Sequence, residues 1–427
     1  MKRSTLNLLL TVLMIPMLHA CGGNSEEDQG SVRLVNATTN FGALDAYRDD
    51  TGMVNTIASG TASGYANLDK DSYTFKIAKS GLGTTAASVT GDVSDSNHYA
   101  LVAYATGSSL QVSYLGEDET APSSGQAKLR FMNTASVEAG SVDIYVGHTA
   151  CSALTSTDIA AASAVSTAAV TGFTAFTAGT YSVCVTAAGS KTDVRLDIPA
   201  LPLGNQQIGT LVLTRSTSGV LVHGLLLNQQ GSLDAHANLS GRVRVVANPL
   251  AGATTTTVAN GTTLSSLAPA ASIGGYKLVT AGALTVTVNG AAVDAGGATV
   301  TAGTDMTLLV TGNVASPTLS VIPDDNTLST STSQPVKLRL VNGVNGLTSS
   351  VTMTLESDVI GDDVAFGTAS APVTVGATTE NVDIAVTNGS TVLFTTQQTL
   401  SANKVYTVFL LGDTSTVTTS SKFRSDR

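Results

Sequence analysis

Few side chains in this sequence could carry chemistry: of 427 residues only 12% are charged, five are histidine and three are cysteine. The cysteines divide into Cys21, shortly after the apolar run Leu6–Leu18, and a later pair, Cys151 and Cys184. Two aspartates, Asp45 in "LDAY" and Asp143 in "VDIY", recur in the same local context and are the best acids for a hydrolytic or carbohydrate-active enzyme. Repetition of one carboxylate in this way points to architecture instead, because active sites are seldom duplicated intact.

Other chemistry finds less support. No H-E-x-x-H, G-x-S-x-G or P-loop occurs. Gly81–Ala86 fits G-x-G-x-x-A, but it leads into "SVTGDV" rather than a helix, so a hairpin loop is expected and not a dinucleotide site. His98, His148, His223 and His236 lie at wide spacings without the local pairs of a zinc site, and no metal centre or cofactor is expected. Asp92–Asn97 and Asp358–Asp363 each gather side-chain oxygens but match no calcium loop, so solvated turns are expected, with calcium as the alternative. With no Trp and 4% aromatic residues, a carbohydrate platform gains little support.

Cys21 carries the clearest signal. Lys2 and Arg3, the apolar run and Ala20 compose a secretory signal peptide over residues 1–20. The run is too short for a permanent membrane span, which needs about 20 residues. Leu18-His19-Ala20-Cys21 resembles the bacterial lipobox, and the resemblance implies that Cys21 becomes the first mature residue, acylated on its sulfur and its amine. Several chains on one residue would anchor the protein stably. Gly22 stands where an aspartate would imply inner-membrane retention, so the outer membrane is the expected address. With Cys21 acylated, Cys151 and Cys184 remain as a pair in an oxidising compartment and are expected to form a disulfide, two free thiols being the alternative.

Cleavage would leave 19 basic and 31 acidic residues, taking the formal charge from −10 to −12. An acidic chain does not seek phosphate backbones, so no nucleic-acid partner is expected.

The elements that position these residues repeat. Arg33, Arg130, Arg244 and Arg339 each sit second in an apolar strand, at spacings of 97, 114 and 95 residues, the size of a small β-sandwich. Side chains alternate along such strands, so the neighbours of each arginine face a core while its stem lies over the outer face, a half-buried strand with a structural arginine. A second signature places Gly64-Tyr65, Gly172-Phe173 and Gly275-Tyr276 so that each aromatic precedes Tyr73, Tyr181 or Leu284 by eight residues, which predicts a constant hairpin. The following strands are "YTFKI", "YSVCV", "LTVTV" and "VDIAV". Each copy ends in a continuous apolar strand, "YALVAYA", "IGTLVLT", "MTLLVTG" or "YTVFLLG", of the kind found mid-sheet. The Ala-rich stretch 158–169 predicts a turn or two of helix. Sandwiches are expected over residues 31–117, 127–229, 241–322 and 335–427, after a flexible tether at 21–30.

At these strands, with "LDAY", "VDIY" and "AGTYSV" (178–183), copies one and two resemble the bacterial domain-of-unknown-function 4397 family (DUF4397). Copies three and four show no V-D-hydrophobic-Y element. The resemblance implies an all-β chain of tandem immunoglobulin-like β-sandwiches on an envelope protein, and it implies no chemistry. The expected function is therefore a lipid-anchored, non-enzymatic spacer, binding or adhesion-type module, with the membrane as partner through its lipid and a protein or glycan ligand unspecified. An envelope hydrolase or carbohydrate-active enzyme is the alternative.

Overall fold

The computed structural model describes residues 28–147, 150–216 and 219–427. The signal peptide, Cys21, most of the tether and His148 lie outside the described residues. Strands account for nearly all of the regular structure, arranged as four units of two main sheets each, with a further two-stranded sheet, Gly282–Ala283 with Thr299–Val300, in the third.

Each unit opens with its arginine strand: Gln29–Asn36, Gln126–Asn133, Ser240–Pro249 and Val336–Asn342. Each of these pairs in parallel with the unit's continuous apolar strand: His98–Thr106, Ile208–Arg215, Asp305–Asn313 and Lys404–Leu410. The strand that follows pairs antiparallel with the apolar one: Ser109–Gly116, Val222–Asn228, Ser316–Asp324 and Lys422–Ser425, and in unit two Leu233–His236 adds one more beyond it. The opposing sheet is built around Leu44–Arg48, Val142–Gly147, Thr254–Ala259 and Val351–Leu355. Every unit encloses its own core, with Val32, Leu34, Phe75 and Leu101 in the first and Leu338, Met353, Ile384 and Val408 in the fourth.

The arginine strands are buried on both faces, not on one. Val32 and Leu34 face the core of unit one, while Val35, Val102, Tyr104 and Leu115 pack on Met132, Val212, Leu225 and Leu227 of unit two. Units three and four repeat the arrangement through Val246, Leu309, Ile322, Val341, Phe409 and Leu411. The continuous apolar strands read that way because alternate side chains enter two different cores, one inside the unit and one between units.

Two other expectations are corrected. Residues 158–169 form no helix: Ala162–Val165 is an edge strand paired with Val142–Gly147, since a ladder partner was available that a short isolated helix lacks. The aromatic signature does not mark a hairpin either. In unit one Ala66–Asp69 pairs with the arginine strand, and Asp71–Lys79 pairs with Leu44–Arg48 in the other sheet. The constant spacing is an arch that carries the chain between sheets. It is held at the far side by Tyr73 and Tyr181, whose hydroxyls donate to the Asp69 and Thr177 carbonyls at 2.9 and 2.7 Å. Gly81 and Gly83, both at positive φ, lie in the hairpin between Asp71–Lys79 and Thr85–Val93.

Cys151 and Cys184 are joined in a disulfide, with Cα atoms 5.4 Å apart. It ties the irregular segment after Val142–Gly147 to the middle of Gly179–Ala187 and packs with Tyr145 and Val194, against Leu278 of unit three. Closing this loop is worth about 3–4 kcal/mol in the chain-entropy account. The Cys151→Ala/Cys184→Ala double variant should lose that amount in chemical denaturation, and an unchanged midpoint would show that the bridge restrains nothing in the unfolded chain.

Candidate functional site

The most elaborate constellation in the molecule lies between units, where the outward arginines meet. Parallel register sets Arg130 opposite Thr210, Arg244 opposite Thr307 and Arg339 opposite Thr407, while Arg33 faces Ala100. In the three threonine cases Nε donates to the hydroxyl at 2.8, 2.8 and 3.1 Å. Arg33, lacking a threonine, donates from Nε to Glu117 Oε2 at 2.8 Å.

The acids come from the ends of the last strands. Asp324 closes Ser316–Asp324 of unit three, and Asp426 follows Lys422–Ser425 of unit four. They are exchanged: Arg339 of unit four donates to Asp324 Oδ1 at 2.5 Å, and Arg244 of unit three grips Asp426 with both terminal nitrogens, Nη2 at 3.0 Å. Thr307 and Thr407 donate to the acid of their own unit at 2.6 Å each. All four charged side chains are at most 3% exposed, so the result is a buried square of alternating charge. Burial works against the charge on Arg244, but Tyr276, Asp426 and Asp324 overcome it and hold its pKa above the ordinary value. Between units one and two the exchange is looser. Arg33 reaches the Asn228 carbonyl at 2.9 Å and the Gly231 carbonyl at 2.5 Å, and Arg130 reaches the Gly116 carbonyl at 3.0 Å.

The Gly-aromatic signature completes the box. Tyr65, Phe173 and Tyr276 lie under the guanidinium carbons of Arg33, Arg130 and Arg244, with ring centroids at 4.9, 4.5 and 4.6 Å. The Phe409 ring also lies 4.9 Å from the Arg244 guanidinium carbon. The Tyr65 and Tyr276 hydroxyls donate to Glu117 and Asp324 at 2.6 Å each, and burial pushes both phenol pKa values up. Sequence reading found the arginines and the aromatics but not Glu117, Asp324 and Asp426. Their signal is an acid at the end of the last strand in three of the four copies.

Asp45 and Asp143 serve a different purpose. Asp45 accepts from the Thr56 and Gly81 amides at 2.7 and 3.3 Å, and Asp143 from the Ala164 and Gly189 amides, both at 2.8 Å. Thr56 and Ala164 occupy a bulge in the neighbouring edge strand with φ near +58° and +51°. Each carboxylate therefore caps a strained bulge and the turn of the next hairpin. The element absent from copies three and four by sequence is present in space. Leu267 and Asp363 occupy the matching bulges at positive φ, and Thr256 and Thr352 stand in place of the aspartates. The Thr256 hydroxyl accepts from the Leu267 amide at 3.1 Å.

The remaining candidates are scattered. His98 pairs with Asp118 at 3.0 Å and stands edge-on to Tyr65, while His223 accepts from the Asn238 amide at 3.0 Å. Burial lowers the pKa of His223 and of His236. Asp358–Val364 is an edge strand, so its carboxylates do not converge on a loop, and Asp362 accepts from Thr352 at 2.6 Å. In the other acidic segment Asp95 accepts from Ser96 at 3.1 Å. Among the described residues, the ligating side chains drawn together in a group of three are Cys151, Cys184 and Asp197, and the disulfide occupies both sulfurs.

Removing one member of a buried ion pair costs about 3–5 kcal/mol because the other charge stays buried. Asp324→Ala should destabilise units three and four by that amount in chemical denaturation. The pair of changes Asp324→Leu and Arg339→Met should cost well below the sum of the single ones, whereas simple additivity would show that the two groups do not act together. For the bulge, Asp143→Ala should cost about 2 kcal/mol, the order expected for hydrogen bonds to a charged group, and Asp143→Asn clearly less, since one acceptor oxygen remains.

Residues 30–145 match the family described as "Domain of unknown function (DUF4397)". No curated protein matches the chain. One solved structure, described as "The Bacillus anthracis TIE protein", is 10% identical, with 90% of this chain and 68% of that one covered. Its TM-score of 0.14 is too low to carry an argument. The family match spans unit one and reaches Tyr145 in unit two, so a domain of this family is present in the amino-terminal part of the chain.

Proposed function

We propose that this chain is a non-catalytic, lipid-anchored protein of the bacterial outer membrane, a scaffold of repeated DUF4397-type modules held on one of its two faces by Cys21. Its ligand is a protein or a glycan. The observation that carries the scaffold reading is the interlock: the recurring arginine of every unit is engaged by a neighbouring unit, so a motif that runs through all four copies serves assembly. Units two to four are read as further copies of the matched domain because the bulge at Thr56, Ala164, Leu267 and Asp363 returns in each. Anchoring rests on the amino-terminal residues: the basic start, the apolar run and the lipobox-like Leu18–Cys21.

A hydrolytic reading needs free carboxylates, and its two best residues, Asp45 and Asp143, each bind two backbone amides. Their carboxylates are oriented into loops of their own unit rather than toward a shared cleft.

Mass spectrometry of the amino-terminal peptide, combined with protease treatment of intact cells, tests the anchor. The expected result is an acylated Cys21 at the mature terminus, with Cys21→Ser moving the protein from the membrane pellet to the soluble fraction. An unmodified terminus, or a Cys21→Ser variant that stays in the pellet, would overturn it.

A further inference from the structure

Unit two carries an acid that the other units lack. Lys76, Cys184, Thr287 and Ala385 are each fourth in "YTFKI", "YSVCV", "LTVTV" and "VDIAV", and across the ladder they face Ser88, Asp197, Ala292 and Thr395. Asp197 therefore does not belong to the shared architecture, and unlike Asp45 and Asp143 it accepts from no backbone amide among the described residues. It is half-buried. Its Oδ1 is sealed from solvent without a hydrogen bond, and among the described residues Oδ2 accepts none either, which leaves Oδ2 as the accessible oxygen. No cation acts on the group, and burial alone pushes its carboxyl pKa up. A carboxylate held in this way costs stability, and such a cost is tolerated where it serves binding.

Asp197 lines a cavity of about 610 Å³ where unit two meets unit three. The other charges around this cavity are already matched. Arg242 holds Asp305 through Nε and Nη2 at 2.9 and 2.5 Å, and its Nη1 stands 3.9 Å from Asp193, whose other oxygen accepts from Arg195 at 2.9 Å. Two arginines and two aspartates thus cancel. Lys277 donates to the Thr263 carbonyl of its own unit at 2.8 Å. Asp197 remains as the charge without a counter-ion, and the cavity opens onto it. The same cavity is walled by Val194, Leu278 and Cys151 of the disulfide, an apolar surface against which a hydrocarbon stem can lie. A single accessible oxygen suits the point charge of an ammonium, whereas the two-pronged guanidinium wants both oxygens of a carboxylate.

We propose that the cavity between units two and three is a binding site for a lysine side chain presented by a protein partner, with the ammonium on Asp197 and the methylene stem against Val194, Leu278 and the disulfide. The partner supplies the counter-ion that the chain itself withholds from this one acid. The proposal deepens the binding half of the function above and rests on it only for the existence of a protein ligand; neither the anchor nor the interlock depends on the site.

The test uses the full chain with labelled valine and leucine methyl groups, titrated at low salt with N-acetyl-lysinamide and, separately, with N-acetylnorleucinamide and glucosamine. Saturable shifts at Val194 and Leu278 are expected for the lysine compound with a Kd of about 1 mM, the strength of a fragment of this size. The norleucine compound, which keeps the stem and lacks the charge, should bind about fivefold more weakly or less. In Asp197→Asn, nearly the same shape without the charge, the shifts should disappear while the midpoint of thermal unfolding holds or rises, because an uncompensated carboxylate has been removed. Equal binding of the lysine and norleucine compounds, tighter binding of glucosamine than of the lysine compound, shifts centred elsewhere, or no saturable shift in the wild-type chain would each overturn the site. A lowered midpoint in Asp197→Asn would do so too, since it would make the carboxylate a structural one. Membrane fractionation of Cys21→Ser reports on the anchor separately, so failure of one leaves the other standing.

Discussion

A guanidinium removed from water has to be met on its edges by acceptors and can be covered on its faces by rings; if either is missing, the cost of dehydration dominates. In this molecule that requirement falls on the same residue of every unit, because the strand that opens each sandwich carries an arginine on its outer face. Once the outer faces of units three and four close over Val246, Leu309, Val341 and Phe409, Arg244 and Arg339 have no water to return to. Asp324 and Asp426 must then lie where the last strands end, and Thr307 and Thr407 must lie opposite the arginines to orient both partners. Apolar contact supplies the driving force for pairing the units, and the charge square determines which register of the two sheets is allowed. A slip by one residue along either strand would bury an arginine against methyl groups.

The two pairs of units solve the same problem with different materials. Unit two has no acid where Val222–Asn228 ends and no hydroxyl on Phe173, and these absences agree with each other, since a tyrosine there would lack the carboxylate that accepts from Tyr65 and Tyr276 at the matching strand ends. Arg33 is served by Glu117 of its own unit and by two carbonyls of unit two, a weaker exchange than the crossed aspartates of units three and four. The contact between units one and two leans correspondingly more on apolar area, with ten buried apolar residues at its centre against six in the other pair.

Much of this was legible from the chain alone, and the limits follow from locality. The arginine strands, the continuous apolar strands and the two cysteines announce themselves within a few residues, because alternation and redox context are local signals. The helix expected at 158–169 was misread for the complementary reason: alanine content speaks to helix propensity, whereas Ala162–Val165 answers to a ladder partner and to the Asp143 carboxylate twenty-one residues away. The hairpin read from the aromatic spacing failed because period and spacing do not say which sheet a strand joins. The acids were invisible since Asp426 serves an arginine 182 residues earlier, and nothing in the sequence between them records the encounter.

The capping aspartates show how a motif can look functional while being mechanical. A bulge residue at positive φ is costly for Thr56 or Ala164, and its amide is turned away from the ladder. A carboxylate opposite can take that amide and, with its second oxygen, the amide of the following hairpin turn, so one side chain fixes two loops on the same end of the sandwich. A threonine has one oxygen and can meet one of these needs, which is what Thr256 does for Leu267. The change from aspartate to threonine in the later units thus removes a tie between loops without removing the bulge, and the strand order is unaffected. Had the carboxylate been there for chemistry, its replacement would leave its surroundings without a purpose; instead the bulge persists and its amide finds another oxygen, Thr256 for Leu267 in unit three and the Asp362 carboxylate, at 3.0 Å, for Asp363 in unit four.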